Sequence, residues 1–268
     1  MSTDEFLSLF GARDAHEPVD PMKSAQKGQR AALPRRFYDK VSLLALDGGL
    51  ALQLDGRTAR TPARNALMVD DPAIAAAMMR EWDAQAAVID PATMPLTRLV
   101  NAALDGVARA RDAVSTEIVR YAASDLVCYR ADTPQELAAL QAAAWDPLVA
   151  WAHDDLGAPL RLASGVIHVS QPPEVEAAIT DAVARFATPL PLAALSAVTT
   201  LTGSAVIALA LAHRRLSTED VWLAAHVDED YQARVWGADD EAVFRQANRR
   251  RDFDAAALVL ASGPVAAV

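Results

Sequence analysis

The sequence predicts an α+β protein, a small N-terminal β-meander/α-β domain followed by a mostly helical bundle. Three observations carry this. Short apolar segments between Phe37 and about Met68 are separated by Asp-Gly turns, which supply the positive φ that tight hairpins need. Helical periodicity begins at Asp71-Pro72 and continues almost to the end. A hydrophobic fraction of 52% over 268 residues is enough to bury a core in one large domain or two ordinary ones.

Residues 1–34 mix Gly, Pro, Lys, Gln and acids without sustained periodicity, apart from Phe6, Leu7, Leu9 and Phe10, and are expected to form a flexible N-terminal arm. The α/β domain is expected over 35–100 and the bundle over 101–268. In the meander, Val41–Leu46 leads to Asp47-Gly48-Gly49, Leu50–Leu54 leads to Asp55-Gly56, and a third segment ends at Thr61-Pro62. Alternation of Ala51 and Gln53 with Leu50, Leu52 and Leu54 suggests a sheet half open to water. Pro72 at a first helical position starts a helix to about Ala87. Ile89–Pro95 reads as an extended linker, and apolar recurrences at Leu99, Val100, Ala103, Leu104, Val107, Ile118 and Tyr121 predict one long helix from Leu96 towards Ser124. Leu126–Tyr129 suits one more strand. Thr133-Pro134-Gln135-Glu136 opens a helix that carries Trp145 to about Asp155, where Gly157 ends it. Four helices follow: Pro173–Thr188, Leu190–Arg215 with a break at Gly203, Ser217–Trp236 closed by Gly237, and Asp239–Ala261.

Composition and motifs exclude several function classes. A net charge of −10 opposes nonspecific binding to nucleic acid, and the basic run Arg249, Arg250, Arg251 with Arg245 reads as a solvated helix face. Cys128 stands alone among apolar neighbours, which rules out an intrachain disulfide and a Cys-rich zinc site and fits an inert buried thiol in a reducing compartment. The acids of the arm argue against a transit peptide, no apolar run behind a basic start suggests a secretory signal, and the best apolar window, Ala205–Ala212, is too short for a membrane span. There is no phosphate-binding glycine loop, and Gly48-Gly49 falls inside a hairpin. His16, His153, His168, His213 and His226 are scattered, Ser164-Gly165 lacks a nucleophile-elbow frame, and His153-Asp154-Asp155 is best read as a polar helix end. No catalytic residue, metal or cofactor is expected.

Two polar constellations stand above this background. The first is Glu81-Trp82 with Gln85, then Met94-Pro95-Leu96-Thr97-Arg98 and Asn101, whose plainer reading is a domain hinge with a Trp wedge. The second is Ser217–Glu241. It holds eight acids, Glu219, Asp220, Asp228, Glu229, Asp230, Asp239, Asp240 and Glu241, against the single base Arg234. On one helix Trp222, Ala225, Glu229, Gln232 and Trp236 would form a single stripe. That stripe is either the core face of an ordinary amphipathic helix or a surface that grips another protein.

The same regions carry a family resemblance. In their order and spacing, Arg36-Phe37-Tyr38, Asp55-Gly56-Arg57 with Thr61-Pro62, Glu81-Trp82 with Gln85, Met94-Pro95-Leu96-Thr97-Arg98, Asp125-Leu126 with Tyr129-Arg130, Trp145-Asp146-Pro147 with Trp151, and Trp236-Gly237 span residues 36 to about 255. Through them the chain resembles the assembly chaperones of F-type ATP synthase that act on the alpha subunit of its catalytic F(1) sector, a family shared by mitochondria and alphaproteobacteria. The resemblance implies an N-terminal α/β part and a C-terminal orthogonal helical bundle. It also implies binding of unassembled alpha subunit until beta subunit takes the chaperone's place, with no catalysis and no cofactor. The expected client surface comprises Glu229, Asp228, Gln232, Trp222, Trp236, Asp239 and Asp240. Trp82, Glu81, Arg98, Gln85, Asp55 and Arg57 are expected to support the domain junction. Such a protein would be a monomer when free, without stable membrane association, in the bacterial cytoplasm or, in a eukaryote, the mitochondrial matrix. Two rival readings are a small-molecule enzyme holding an anionic substrate between the domains with Arg57, Arg98 and Arg130, and a permanent structural subunit.

Overall fold

The computed structural model describes residues 33–165, 168–237 and 239–263. The expected flexible arm therefore lies outside the described residues except for Leu33 and Pro34. The chain forms two compact units, one ending at Gly106 and the other beginning at Val107. The fold is α+β.

In the first unit β1 (Val41–Leu46) pairs antiparallel with β2 (Gly49–Leu54), and β2 pairs antiparallel with β3 (Arg57–Thr58) and β4 (Met68–Val69). The β1–β2 register runs from Val41 opposite Leu54 to Leu46 opposite Gly49, closing on Asp47-Gly48. Gly49 is required where β2 meets β4, since a Cβ there would sit 2.4 Å from the Val69 carbonyl oxygen. Asp55 and Gly56 both have positive φ, as a tight turn of this hand needs. The expected half-open sheet is not found at its centre: Ala51 and Leu52 point to opposite faces, yet both are fully buried. β2 is the central strand, with β1 on one side and β3 and β4 on the other, so even a small side chain is covered.

Two helices complete this unit. In α1 (Pro72–Asp83) the Asp71 carboxylate caps the N-terminus by accepting from the amides of Ala73 and Ile74. The helix stops four residues before Ala87 because the following chain is used elsewhere: Ala87 accepts from the Arg36 amide, and the Ile89 amide donates to Pro34. The continuous helix expected from Leu96 is divided, giving α2 (Pro95–Asp105) in the first unit and α3 (Arg111–Ala122) in the second. Gly106 caps α2, and a 3-10 turn at Val107–Arg109 separates the two. A boundary at residue 100 would cut α2, which instead stays whole.

The second unit is a helical bundle. Leu126–Cys128, expected as strand, is a 3-10 turn that leads into β5 (Tyr129–Arg130), a short partner of the parallel β6 (Ala163–Ser164). The helices are α4 (Gln135–Asp154), α5 (Pro173–Ala184), α6 (Pro189–Thr202), α7 (Ala205–Ala212), α8 (Thr218–Ala225), α9 (Val227–Trp236) and α10 (Asp240–Ser262). Every residue of α7 is buried, so it forms the axis of the bundle, with α3, α4, α6, α8 and α10 packed around it. Gly203, with φ +68, ends α6 at the expected break, and Ser204 caps α7 through the Ile207 amide. Ser217–Trp236, expected as one helix, is broken at His226, whose backbone leaves the helical region at φ −118 and ψ 18. Gly237 does follow the last turn with positive φ.

Candidate interaction surface

The break at His226 decides how the acidic segment is used. His226 is buried and stacks on Trp222, with ring centroids 3.9 Å apart, while its Nδ1–H donates to the Trp222 carbonyl at 2.8 Å. Trp222 is 6% exposed and also packs on Phe253 of α10, whereas Trp236 is 83% exposed. The expected five-residue stripe therefore does not exist. Trp222 and Ala225 are core residues of α8, and Glu229, Gln232 and Trp236 belong to another helix.

On α9, positions 229, 232, 233 and 236 share one side by helical spacing, and all four are exposed. Positions 227, 231 and 234 share the opposite side. Asp228 falls between the two and accepts from the side-chain amide of buried Gln141 at 2.7 Å; the Gln141 carbonyl in turn accepts from the Ala131 amide. Asp228 thus anchors α9 to α4 and is not part of the outer face. A second anchor is the ion pair of Arg234 with Glu136 on α4 at 2.7 Å. No residue of α9 is buried, so these polar ties hold much of it in place. Beyond Gly237, the Asp239 carboxylate caps α10 through the Ala242 amide, and Asp240 is exposed. Asp230 lies 3.5 Å from the Gln246 side chain, which sets α9 beside the first turns of α10. Val235 and Trp236 end one helix while Val243 and Phe244 begin the other, and all four are exposed, Phe244 by 65%.

The six residues expected at the junction all lie in the first unit. Glu81, on α1, accepts from the amides of Leu96 and Thr97, each at 2.7 Å, so a carboxylate from one helix caps the next. Burial raises its pKa against those hydrogen bonds and the Arg98 charge. Gln85 is buried and fixes the linker: its amide donates to the Glu81 carbonyl and the Thr93 hydroxyl at 3.0 Å, and its oxygen accepts from the Asp90 amide at 2.7 Å. The Trp82 ring meets Tyr38 at 5.8 Å, and the Trp82 carbonyl accepts from the Tyr38 hydroxyl. Asp55 accepts from the amides of Asp39 and Lys40. Arg57 is exposed at a hollow also lined by Phe37 and Trp82. In the second unit, Arg130 pairs with Asp146 at 2.7 Å and lies over the Trp145 ring, so a local partner takes up its charge.

Two groups matter more than their place in the sequence suggests. Arg36 donates to the carbonyls of Tyr38, Asp83 and Gln85 and covers the Tyr38 ring, joining the chain before the sheet to the end of α1. Asp125 is fully buried and accepts from the amides of Val127 and Val206, which ties the 3-10 turn to the N-terminus of α7. Burial pushes the neighbouring Cys128 thiol up to about 12, with the Asp125 charge adding to it, so it is not a nucleophile at neutral pH. Among the described residues, no acid, His or Cys cluster is arranged to hold a metal ion, and no helix is long and apolar enough to cross a membrane.

A family model described as ATP12 chaperone protein matches residues 35–153. The structure of the Atu1473 protein from Agrobacterium tumefaciens is similar at 43% identity and a TM-score of 0.82, covering 97% of this chain and 96% of that one. Atp12 from Paracoccus denitrificans is 39% identical with a TM-score of 0.78, over 85% of this chain and 98% of its own. A substituted form of the Paracoccus protein gives 38% and the same TM-score. Likeness in sequence and fold across nearly the whole length of a relative named for the family that the sequence model also finds supports one conclusion: the chain belongs to the ATP12 chaperone family.

Proposed function

We propose that the protein binds unassembled alpha subunit of F-type ATP synthase, keeps it from aggregating, and is displaced by beta subunit during assembly of the catalytic sector. An assembly-chaperone role follows from family membership. The observation that supports the finer reading is the exposed end of α9 and α10. Trp236, Phe244, Val235 and Val243 stand in water there, bordered by Glu229, Asp239, Asp240 and Glu241. Large exposed apolar groups beside a charged border are what a protein-binding surface presents. A temporary partner needs such anchors to cover an apolar client surface, and a wet polar border so that it can be exchanged.

On this reading Glu229, Gln232, Trp236 and Asp240 meet the client, while Asp228, Trp222 and Asp239 hold the surface in shape. Trp82, Glu81, Arg98, Gln85, Asp55 and Arg57 keep the first unit folded, and the protein acts without catalysis or cofactor. The test is capture of purified alpha subunit by the full-length protein. Glu229→Lys and Trp236→Ala should each lower capture about tenfold while the melting temperature stays near wild type, as expected for exposed positions. Wild-type capture with undiminished capture by both variants would show that the client binds elsewhere. Failure of the wild type to capture alpha subunit would refute the functional reading itself.

A further inference from the structure

The inner side of α9 borders a groove of about 600 Å³ that the outer face does not share. Its walls are Leu140 and Pro147 of α4 and Leu223 of α8, all exposed; its floor includes the buried Leu148 and Ala224, and Val227 and Tyr231 close the α9 side. Three charged residues reach it. Arg234 is paired with Glu136, whereas Asp220 and Asp230 make no ion pair among the described residues. The border of an apolar groove is therefore net negative. Pro147 adds a further acceptor, because it has no N–H to give the Ala143 carbonyl one turn earlier.

From this charge and shape we infer that the groove takes an amphipathic helical segment of the client polypeptide, its apolar side on Leu140, Leu148 and Leu223 and a Lys or Arg towards Asp220 and Asp230. The inference rests on the chaperone reading and adds a second contact to it. From Leu140 to Leu148 the α4 side of the groove runs about 12 Å, room for about two turns of a helix. Side chains at i, i+3, i+4 and i+7 of such a segment face one groove. A carboxylate whose side-chain partner is neutral, the Ser217 hydroxyl for Asp220 and the Gln246 amide for Asp230, keeps its charge beside an apolar floor, which disfavours an acidic occupant and favours a basic one.

The test uses the full-length protein and a fluorescent helical peptide of about 14 residues, with leucines at i, i+3, i+4 and i+7 and flanking lysines. Fluorescence anisotropy should show saturable binding that falls roughly tenfold in Leu223→Lys and in Ala143→Trp, which fills the groove from an exposed position. A twin peptide with glutamates for lysines should bind wild type at least about fivefold more weakly. Glu174→Gln, exposed on α5 and away from the groove, should bind the peptide as wild type does. No binding by wild type, equal binding by the groove variants, or equal binding of the glutamate twin overturns the inference. So does a gain in peptide affinity when Phe6 and Phe10 are replaced by alanine, which would assign the groove to the chain's own first residues. Alpha-subunit capture measured in parallel separates the two readings. Groove-dependent peptide binding without capture refutes the function and the client as occupant, leaving only the groove's preference for a basic amphipathic helix, and capture unaffected by the groove variants refutes the groove as a client contact while the function stands.

Discussion

Asp125 shows how one buried side chain sets the local order of the bundle. Burial drives its pKa up to about 6 despite hydrogen bonds from Ser204 and the amides of Val206, Val127 and Ala205. Its folded pKa therefore lies above the unfolded value of about 3.9. Its proton linkage adds stability that is fully present below pH 4 and is lost as pH rises through 6. Asp125→Asn keeps the size but turns an N–H₂ towards backbone donors, and should cost about 1–3 kcal/mol at pH 7. The gap between wild type and variant should then widen towards pH 4.5, because only wild type gains by taking up the proton. Urea unfolding of both proteins at pH 7, 5.5 and 4.5 isolates this residue, since the other groups cancel in the difference; a gap that narrows in acid contradicts the assignment. Glu81 poses the simpler case of a carboxylate spanning two helices. Glu81→Ala leaves two first-turn amides of α2 without their acceptor and should cost about 1–2 kcal/mol, and Glu81→Gln, which keeps one acceptor oxygen, should cost less. Thermal melts of the pair decide it, and equal losses would mean that packing, not capping, is what Glu81 supplies.

Among the described α-helices, α9 alone buries no residue, and it is tied to α4 by Asp228–Gln141 and Arg234–Glu136. Local opening should therefore cost much less there than in α7, which is buried throughout. Gln141→Leu removes the first tie, and amide exchange should quicken across 227–236 while α7 stays protected; unchanged exchange in α9 would mean that the tie is not what holds it. This helix also marks where sequence reading succeeded and failed. Its acids were legible as solvent-facing under either reading of the stripe, whereas the sequence left open whether Trp236 was core or surface. The division at His226 was not legible: Val221 to Trp236 keeps an acceptable helical pattern, and the break rests on a side-chain contact, the His226 Nδ1–H taking the Trp222 carbonyl while its amide turns to Leu223. For the same reason Trp222 was grouped with Trp236, and Asp228 with Glu229, although neighbours along a helix point about 100° apart. The first two strands and their Asp-Gly turns were read correctly, since Asp-Gly dictates local backbone geometry, whereas β4 was not assigned and the half-open sheet was wrong at β2, which is covered on both faces. The ends of α1 and α2 were misplaced because distant segments, residues 34–36 and the unit boundary, set them.

At the scale of the whole molecule the distribution of charge matters more than its total. The 25 residues from Ser217 to Glu241 carry a net −7, but Glu219 and Glu241 pair with Arg250 and Arg245 of α10, so the negative field is centred on Asp220, the acids of α9 and the turn before α10. Such a field speeds encounter with a basic partner surface and contributes less to holding the complex once formed. Association with alpha subunit should therefore slow by about tenfold between roughly 0.05 and 0.5 M salt, over which the screening length falls several-fold, while dissociation changes little. Neutralising Glu229 and Asp240 as Glu229→Gln and Asp240→Asn should flatten that dependence without altering the melting temperature, because both side chains are exposed and neither caps a helix. The control is an equal charge change on α5, Glu174→Gln with Glu176→Gln, which removes the same two charges from a different helix of the same unit. Stopped-flow association across the salt series separates the cases. A flattened slope in the α9–α10 pair alone locates the encounter surface at that end of the bundle, and equal slopes in both pairs mean that net charge, not its placement, governs recognition.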